Sequence, residues 1–252
     1  MVTLELQNCT FSYQDWFKSV LVFDHINAVF ESGNTIILGP NGAGKSTLMS
    51  IATGNLRPNS GSVLINGQEI TGPHRLKELK RQVAWLPQSI ESLPGLKVRE
   101  QVAYAGWLKG MTRSKAWEHS GEALARVDMA ELADRPANRL SGGQKRRMGI
   151  AQSLVHDASF VFLDEPTAGL DPIQQEQFRA IVEHNRLDRN FVISTHDVND
   201  LDTRYDQVLV LSNGRIVFHG SVREFLAKSG SGGSEADRGG RAYRAVIEEG
   251  TA

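Results

Sequence analysis

Residues 39–46 have the types and the spacing needed to bind phosphate. They read Gly-Pro-Asn-Gly-Ala-Gly-Lys-Ser and satisfy the pattern G-x-x-x-x-G-K-[ST]. Gly42 and Gly44 let backbone N–H groups turn toward an anion, and a helix that begins near Lys45 points its positive end at the same place. We expect Lys45 to reach the β- and γ-phosphates and the Ser46 hydroxyl to ligate Mg²⁺. The residues expected to contact the bound phosphates are Gly39, Pro40, Asn41, Gly42, Ala43, Gly44, Lys45, Ser46 and Thr47.

Two acidic residues follow an apolar run later in the chain. Residues 160–163, Phe-Val-Phe-Leu, predict a buried strand, and Asp164 and Glu165 come directly after it. Open α/β sheets bind ligands at the carboxyl edge where such a strand ends. We expect Asp164 to hold Mg²⁺, directly or through water, and Glu165 to polarise an attacking water.

Residues 140–144, Leu-Ser-Gly-Gly-Gln, predict a second helix N-terminus that can bind an anion. Ser141 is suited to cap the helix, while Gly142 and Gly143 leave their N–H groups accessible. This motif resembles the signature motif of the ATP-binding cassette (ABC) family. The resemblance extends over residues 2–225, and the order of the motifs is complete.

The resemblance implies that two cassettes pair around two ATP molecules and their Mg²⁺ ions. In the family, each signature motif closes on the γ-phosphate held by the partner's phosphate loop. That role would fall here to Ser141, Gly142, Gly143 and Gln144. The expected partner is therefore an identical chain or another cassette.

Three further positions match the family's motifs. Gln88 resembles the glutamine that touches Mg²⁺ or the attacking water and reports to the membrane subunit. His196 resembles the switch histidine that contacts the γ-phosphate. Asp171 closes a segment, residues 168–171, that resembles the D-loop running across the dimer interface beside Glu165. The resemblance implies that Asp171 also takes part in binding the nucleotide.

An aromatic residue near the N-terminus resembles the ring that stacks on adenine. Tyr13 occupies this place in the motif Phe-Ser-Tyr. The segment between it and Lys45 is longer than the family pattern and contains Trp16 and Phe17. Either of these rings is an alternative to Tyr13.

The elements that must position these residues are read from hydrophobic patterning. Strands are predicted at residues 3–7, 20–30, 35–38, 62–65, 160–163, 191–194, 208–211 and 216–218. Helical spacing prevails from about residue 99 to 140, and a helix is predicted over 141–155. Apolar strands separated by helices indicate a parallel sheet buried on both faces.

The predicted fold class is α/β, with a P-loop NTPase (RecA-like) core, an N-terminal antiparallel β subdomain and an inserted α-helical subdomain. The cassette is expected to span residues 1–228, with the helical insertion at about 90–155. Residues 229–252 are expected to form a flexible tail rich in Gly and Ser, with a short terminal helix over 241–249.

Composition excludes several classes of protein. The 252 residues carry 28 Lys plus Arg against 29 Asp plus Glu, a net charge of −1, so no nucleic-acid partner is expected. A single cysteine, Cys9, rules out an intrachain disulfide and favours a reducing compartment. No apolar run approaches the ~20 residues of a membrane span. The expected location is cytoplasmic, peripheral on the cytosolic face of the plasma membrane.

Three functions compete on this evidence. The ATP-hydrolysing subunit of a membrane transporter, working with separate integral membrane subunits, fits every motif. The alternative is a non-transport ABC ATPase that acts on DNA or ribosomes, but neither long coiled coils nor a second cassette copy is present. A small-molecule kinase has no use for the signature motif or for Glu165.

The direction of transport has a weaker signal. Residues 95–100, the short helical segment that follows and a chain that ends soon after the cassette resemble single-cassette bacterial exporters. The sequence therefore favours export of a drug or a lipid-like substrate.

Overall fold

Ten strands and eight α-helices build the described part of the chain. The computed structural model describes residues 2–15, 18–186, 188–230 and 237–251. The strands are β1 (Leu4–Asp15), β2 (Lys18–Phe30), β3 (Thr35–Leu38), β4 (Ser60–Ile65), β5 (Gln68–Glu69), β6 (Val83–Leu86), β7 (Phe160–Asp164), β8 (Asn190–Thr195), β9 (Gln207–Ser212) and β10 (Arg215–Ser221). The helices are α1 (Lys45–Ala52), α2 (Gly72–Gln82), α3 (Val98–Leu108), α4 (Arg113–Ala125), α5 (Gly142–Leu154), α6 (Pro172–Asn185), α7 (Val222–Ala227) and α8 (Arg238–Thr251).

The chain divides into two compact units. The first unit combines residues 1–79 with residues 190–252, and the second unit is residues 80–189. The phosphate loop and His196 therefore belong to the first unit. The acidic pair and the signature motif belong to the second.

An antiparallel sheet in the order β2-β1-β4-β5 opens the first unit. β4 and β5 form a hairpin whose turn is Asn66-Gly67, with φ of 52° and 71°. Two consecutive positive φ angles define the type I′ turn that the right-handed twist of paired strands favours, and Asn-Gly is its preferred sequence. This sheet confirms the N-terminal antiparallel region of the predicted fold class.

A second sheet in the first unit carries the phosphate loop. Its strands run in the order β10-β9-β3-β8, and β3 pairs in parallel with both β8 and β9. All four residues of β3 are buried, as the unbroken apolar run predicted. The parallel pairing confirms the predicted α/β class.

The second unit contains helices α3 to α6 and the parallel pair β6 and β7. Every residue of β7 is buried, as predicted from its apolar run. The helices expected between residues 90 and 155 are α3, α4 and α5. Strand β6 was not predicted, because it has only four residues and Pro87 follows it directly.

Helix α8 covers the short terminal helix that was expected over residues 241–249, and it is longer at both ends. It begins at Arg238, and it packs against α7 and β10 in the first unit. Ala242 and Val246, four residues apart, are both buried and form its inner face. Residues 231–236 of the tail lie outside the described residues.

Candidate functional site

The phosphate loop connects β3 to α1 in the first unit. Gly42 and Gly44 have φ of 81° and 105°, a backbone conformation that glycine adopts without steric cost. A Cβ at Gly44 would lie 2.9 Å from Cε1 of Phe23, so this position also needs glycine for space. A Cβ at Gly42 would meet no atom within 4 Å, which leaves this side of the loop open.

Lys45 lies inside the loop that precedes it. Its side chain is buried, and Nζ donates hydrogen bonds to the carbonyl oxygen of Gly39 over 2.8 Å and to that of Pro40 over 3.2 Å. Helix α1 begins at Lys45, so the first N–H groups of the helix also face the loop. One cation and a row of N–H groups thus surround a space suited to an anion.

The remaining loop residues divide into exposed and buried positions. Pro40, Asn41 and Ser46 are exposed, whereas Ala43 and Thr47 are buried. Ser46 is exposed, and its role as a ligand of Mg²⁺ stays a prediction.

Tyr13 lies beside the start of α1. Its hydroxyl oxygen is 3.2 Å from Oγ1 of Thr47, and its ring meets the ring of Phe11 edge-on with centroids 5.0 Å apart. Tyr13 nevertheless remains 48% exposed, so a ring face stays available for stacking. Trp16 and Phe17, the alternatives, lie outside the described residues.

His196 follows β8 at the same sheet edge as the phosphate loop. Leu38, the last residue of β3, pairs in register with Thr195, the last residue of β8. The first residue of the phosphate loop, Gly39, and His196 therefore each come directly after one member of the pair Leu38 and Thr195. The Thr195 hydroxyl donates to Oδ2 of Asp200 over 2.6 Å, which stabilises the chain just after the exposed His196.

The acidic residues follow β7 in the second unit. Asp164 is 3% exposed and closes the strand, and Glu165 adopts a φ of +45°. The side-chain amide of Gln88 donates a hydrogen bond to Oε2 of Glu165 over 3.3 Å. Leu86 of β6 and Leu163 of β7 lie opposite each other in the sheet. Gln88 and Glu165 each follow by two residues. The structure thus brings together Gln88 and Glu165.

The signature motif caps α5. The Gln144 N–H donates to Oγ of Ser141, and the Ser141 N–H donates to Oε1 of Gln144, which together form a capping box. The side chains of Ser141 and Gln144 therefore both cap the helix. The donors left for an anion are the backbone N–H groups of Gly142 and Gly143, which have no side chains to cover them.

The two signature glycines differ in their surroundings. A Cβ at Gly142 would meet no atom within 4 Å, whereas one at Gly143 would lie 2.8 Å from Oε1 of Gln174. Gln174 belongs to α6, whose N-cap is Asp171. The Asp171 carboxylate accepts the N–H of Gln174 over 2.9 Å. Asp171 is therefore occupied in capping its own helix, and its predicted contact with a nucleotide stays a prediction.

Arg146 is a further part of this region to which none of the motifs assigns a role. Its guanidinium donates to the carbonyl oxygens of Gln88, Glu165 and Pro166, at 2.7, 2.5 and 3.0 Å. Burial lowers the pKa of Arg146, and the carboxylates of Asp164 and Glu165 oppose that shift. A signal existed, because Arg146 lies four residues before the buried Ile150, on the inner face of α5.

The donor set fits ATP with Mg²⁺. The open space at Gly42, the buried ammonium of Lys45 and the helix N-terminus suit a polyphosphate. Among the described residues no group of three His, Cys, Asp or Glu side chains could hold a metal ion. The hydroxyl of Ser46 in the first unit and the carboxylate of Asp164 in the second are each the kind of oxygen ligand that Mg²⁺ prefers.

The loop, the parallel strands and the capped signature helix define the class of P-loop ATPases built as cassettes. The chain belongs to the ABC transporter family, whose model matches residues 23–168. It is an ABC ATPase, the ATP-binding subunit of an ABC transporter, and ATP and Mg²⁺ are its nucleotide and metal ion.

Relatives and solved structures agree with this membership. The energy-coupling factor transporter ATP-binding protein EcfA of Methanococcus maripaludis is 34% identical over 233 residues, 91% of this chain and 83% of the relative. The cobalt import ATP-binding protein CbiO of Rhodobacter capsulatus is 37% identical over 213 residues, 82% and 76% of the two chains. CbiO1 of Clostridium perfringens, part of the ABC transporter complex CbiONQ, matches with a TM-score of 0.74 at 29% identity, over 89% of this chain and 90% of that one.

The relatives correct the expected direction of transport. The name of CbiO specifies import, so export of a drug or lipid-like substrate is not supported. Within the part of the chain that the structure describes, no helix combines the length and the apolar character of a membrane span.

Proposed function

We propose that this chain is the motor subunit of an importer, in which two cassettes hydrolyse ATP and drive separate integral membrane subunits. The observation that carries the proposal is the pair of anion-binding helix termini on one chain. One follows the phosphate loop in the first unit, and the other is the capped N-terminus of α5 in the second. A second phosphate site is useful to an ATPase whose subunits work in pairs.

The first unit would bind the nucleotide. Lys45 supplies the positive charge for the β- and γ-phosphates, and the N–H groups of residues 42–47 surround them. The Ser46 hydroxyl ligates the metal ion, and the exposed ring of Tyr13 stacks on adenine. His196, at the end of β8, donates a hydrogen bond to the γ-phosphate.

The second unit would supply the groups for hydrolysis. Mg²⁺, when bound, neutralises negative charge on the phosphate oxygens. Asp164 holds the metal, directly or through water, and Glu165 orients and deprotonates the attacking water. Gln88 donates to the Glu165 carboxylate, which fixes the direction in which that carboxylate points. Gln88 also meets Mg²⁺ or the water.

The signature helix would act on the partner's nucleotide. The accessible N–H groups at Gly142 and Gly143 face a phosphate, while Ser141 and Gln144 maintain the helix cap. Asp171 lies at the interface between the two cassettes. The partner is then a second copy of this chain or a related cassette.

Import is favoured over export because a relative at 37% identity is named as an import protein. The pair would work at the cytosolic face of the membrane, attached to membrane-spanning subunits that this chain does not contain. Cobalt ion is the first substrate to test, since that relative is named for cobalt import.

Reconstitution tests both activity and direction. The chain and its membrane subunits are inserted in vesicles with the cassettes outside, and ATP is added outside. An importer moves labelled substrate from the lumen toward the side with ATP, whereas an exporter accumulates it in the lumen. We expect loss of substrate from the lumen, and no movement with Glu165→Gln. Luminal accumulation would overturn the proposed direction.

A further inference from the structure

Arg146 connects three segments of the second unit through one side chain. It is 8% exposed, and it projects from α5 into the interior. Nη1 donates to the carbonyl of Gln88, Nη2 to that of Glu165 and Nε to that of Pro166. A guanidinium is planar and rigid, so three bonds to it determine the relative positions of the three carbonyls.

The backbone at Glu165 needs such support. Its φ of +45° places a residue with a Cβ in the left-handed region, which is unfavourable for all residues except glycine. The carbonyl oxygens of two consecutive residues, Glu165 and Pro166, accept from Arg146. The guanidinium therefore stabilises the backbone just after β7, where Glu165 lies.

The same guanidinium positions the partner of that side chain. The carbonyl of Gln88 accepts from Arg146, while the side-chain amide of Gln88 donates to Oε2 of Glu165. Main chain and side chain thus close a ring of hydrogen bonds among three residues. A shift of either backbone would lengthen a side-chain contact that is already 3.3 Å.

The charge of Arg146 lies close to two carboxylates. Its guanidinium donates to three neutral carbonyls, and the carboxylates of Asp164 and Glu165 act on it electrostatically. A cation in the first turns of a helix is disfavoured by the helix dipole. Here the carboxylates of Asp164 and Glu165 offset that cost. They favour the charged form of Arg146 at its buried position.

We propose that Arg146 is a positioning residue for ATP hydrolysis. It holds the backbones of Gln88 and Glu165 at the spacing their side chains need, and it joins that pair to the helix that begins with the signature motif. The inference rests on the proposed function of Glu165. It adds a residue through which movement of α5 changes the geometry of the hydrolytic carboxylate.

A matched control is available in the same unit. Arg189 is 7% exposed and donates to the carbonyls of His156 at 2.6 Å and Leu154 at 3.1 Å, at the opposite end of α5. Arg146→Met and Arg189→Met therefore each remove a buried guanidinium from backbone carbonyls. Only the first removes it from Gln88 and Glu165.

The test measures steady-state hydrolysis and nucleotide affinity of the full chain. We expect Arg146→Met to lower kcat about tenfold or more, because small misplacements of catalytic groups are costly, while the Kd for a non-hydrolysable ATP analogue changes less than about twofold. Arg146→Lys should restore only a minor part of the lost kcat, because an ammonium lacks the planar fork of a guanidinium. Arg189→Met should keep kcat per folded molecule. An unchanged kcat in Arg146→Met, or equal losses in both variants, would overturn the proposal.

A double-mutant cycle separates positioning from general destabilisation. In the Gln88→Ala background the ring is already broken, so Arg146→Met should reduce kcat less than it does in the unmodified chain. Fully additive losses would contradict the ring. Hydrogen exchange gives a readout without turnover: amides of residues 86–90 and 164–168 should exchange faster in Arg146→Met and not in Arg189→Met. Equal exchange in all three proteins would count against the proposal.

Failure of the inference and failure of the proposed function give different results. If Glu165→Gln abolishes hydrolysis while Arg146→Met does not, the positioning role alone is wrong. If Glu165→Gln retains full hydrolysis, the proposed role of Glu165 is wrong, and the role of Arg146 is overturned with it.

Discussion

The side-chain amide of Gln88 donates to Oε2 of Glu165 over 3.3 Å, two residues beyond the registered pair Leu86 and Leu163. Parallel pairing of two short strands is what places these side chains together. A glutamine and a carboxylate in this arrangement orient each other.

Glu165→Gln should abolish hydrolysis and retain nucleotide binding. The introduced amide oxygen still accepts from Gln88, but a neutral amide cannot take a proton from water. Loss of a general base typically costs about 10²–10⁴-fold in rate. With ATP the variant should accumulate as a dimer by light scattering, and a variant that stays monomeric would contradict the pairing. Glu176→Gln, at an exposed carboxylate of α6, is the control and should change neither measurement.

Lys45→Ala should weaken ATP binding itself. The ammonium is already held inside the loop by the carbonyls of Gly39 and Pro40, so its charge is in place before the nucleotide arrives. Charge-assisted hydrogen bonds contribute about 1.5–3 kcal/mol, which corresponds to about a 10- to 100-fold loss of affinity. Calorimetry in the Glu165→Gln background measures the affinity for ATP without hydrolysis. Unchanged affinity would refute the assignment, and the exposed Lys18→Ala is the control.

Gly142→Ala should lower hydrolysis and leave the fold intact. A Cβ at this position meets nothing of its own chain, and alanine is favoured over glycine in a helix by about 0.5–1 kcal/mol. Any loss of activity then reports a contact with a molecule other than this chain. Measuring the melting temperature and the rate of ATP hydrolysis of Gly142→Ala separates an effect on the fold from an effect on activity. A variant with normal turnover would argue against a nucleotide at the signature motif.

Gly143→Ala should differ from Gly142→Ala in stability. The new Cβ would lie 2.8 Å from Oε1 of Gln174, so that side chain must move and the variant should gain less stability. Because the obstructing atom ends a flexible side chain, the difference should be below about 1 kcal/mol. Denaturant unfolding in a Gln174→Ala background should remove the difference, and a difference that persists would place the strain elsewhere.

Tyr13→Ala should weaken ATP binding while Tyr13→Phe should not. Stacking of a base on an aromatic ring contributes about 1–3 kcal/mol, and the ring of Tyr13 is 48% exposed beside α1. Phenylalanine keeps the ring and loses only the contact with the Thr47 hydroxyl. Titration with ATP and with triphosphate lacking the base distinguishes stacking from phosphate binding. Equal losses for both ligands would contradict the stacking role.

His156 should make the protein less stable in acid. Burial first, and then the nearby charge of Lys109, lower the pKa of His156 from 6.5 to about 4. The unfolded chain therefore binds a proton at higher pH than the folded chain does, and stability that is full above pH 6.5 is lost as the pH falls toward 4. A shift of this size corresponds to at most about 3 kcal/mol.

Urea unfolding at pH 7 and pH 5 measures this dependence. His156→Gln should flatten the change between the two values, because glutamine does not titrate and its amide can still donate to the carbonyl of Val83 that His156 Nε2 meets. His74→Gln, at an exposed histidine, should leave the dependence as it is. An equally steep loss of stability in His156→Gln would assign the acid sensitivity to other groups.

The motifs were predictable because each is a local arrangement. Glycines at 42 and 44, a serine that caps α5 and carboxylates after an apolar strand depend on residues close in sequence. The structure places all of them on the expected strand ends and helix termini. Helix α8 was underestimated because its inner face has only two fully buried residues, Ala242 and Val246, after a segment rich in glycine.

The sequence by itself determined the family, the nucleotide and the metal ion, and it predicted which residues bind them. Only the tertiary structure decided how those residues are held. The register of β6 and β7 joins Gln88 to Glu165, and the inward face of α5 directs Arg146 to the carbonyls of those two residues. The reason is physical: a hydrogen bond between residues 77 positions apart depends on how the strands pair, which no local spacing specifies.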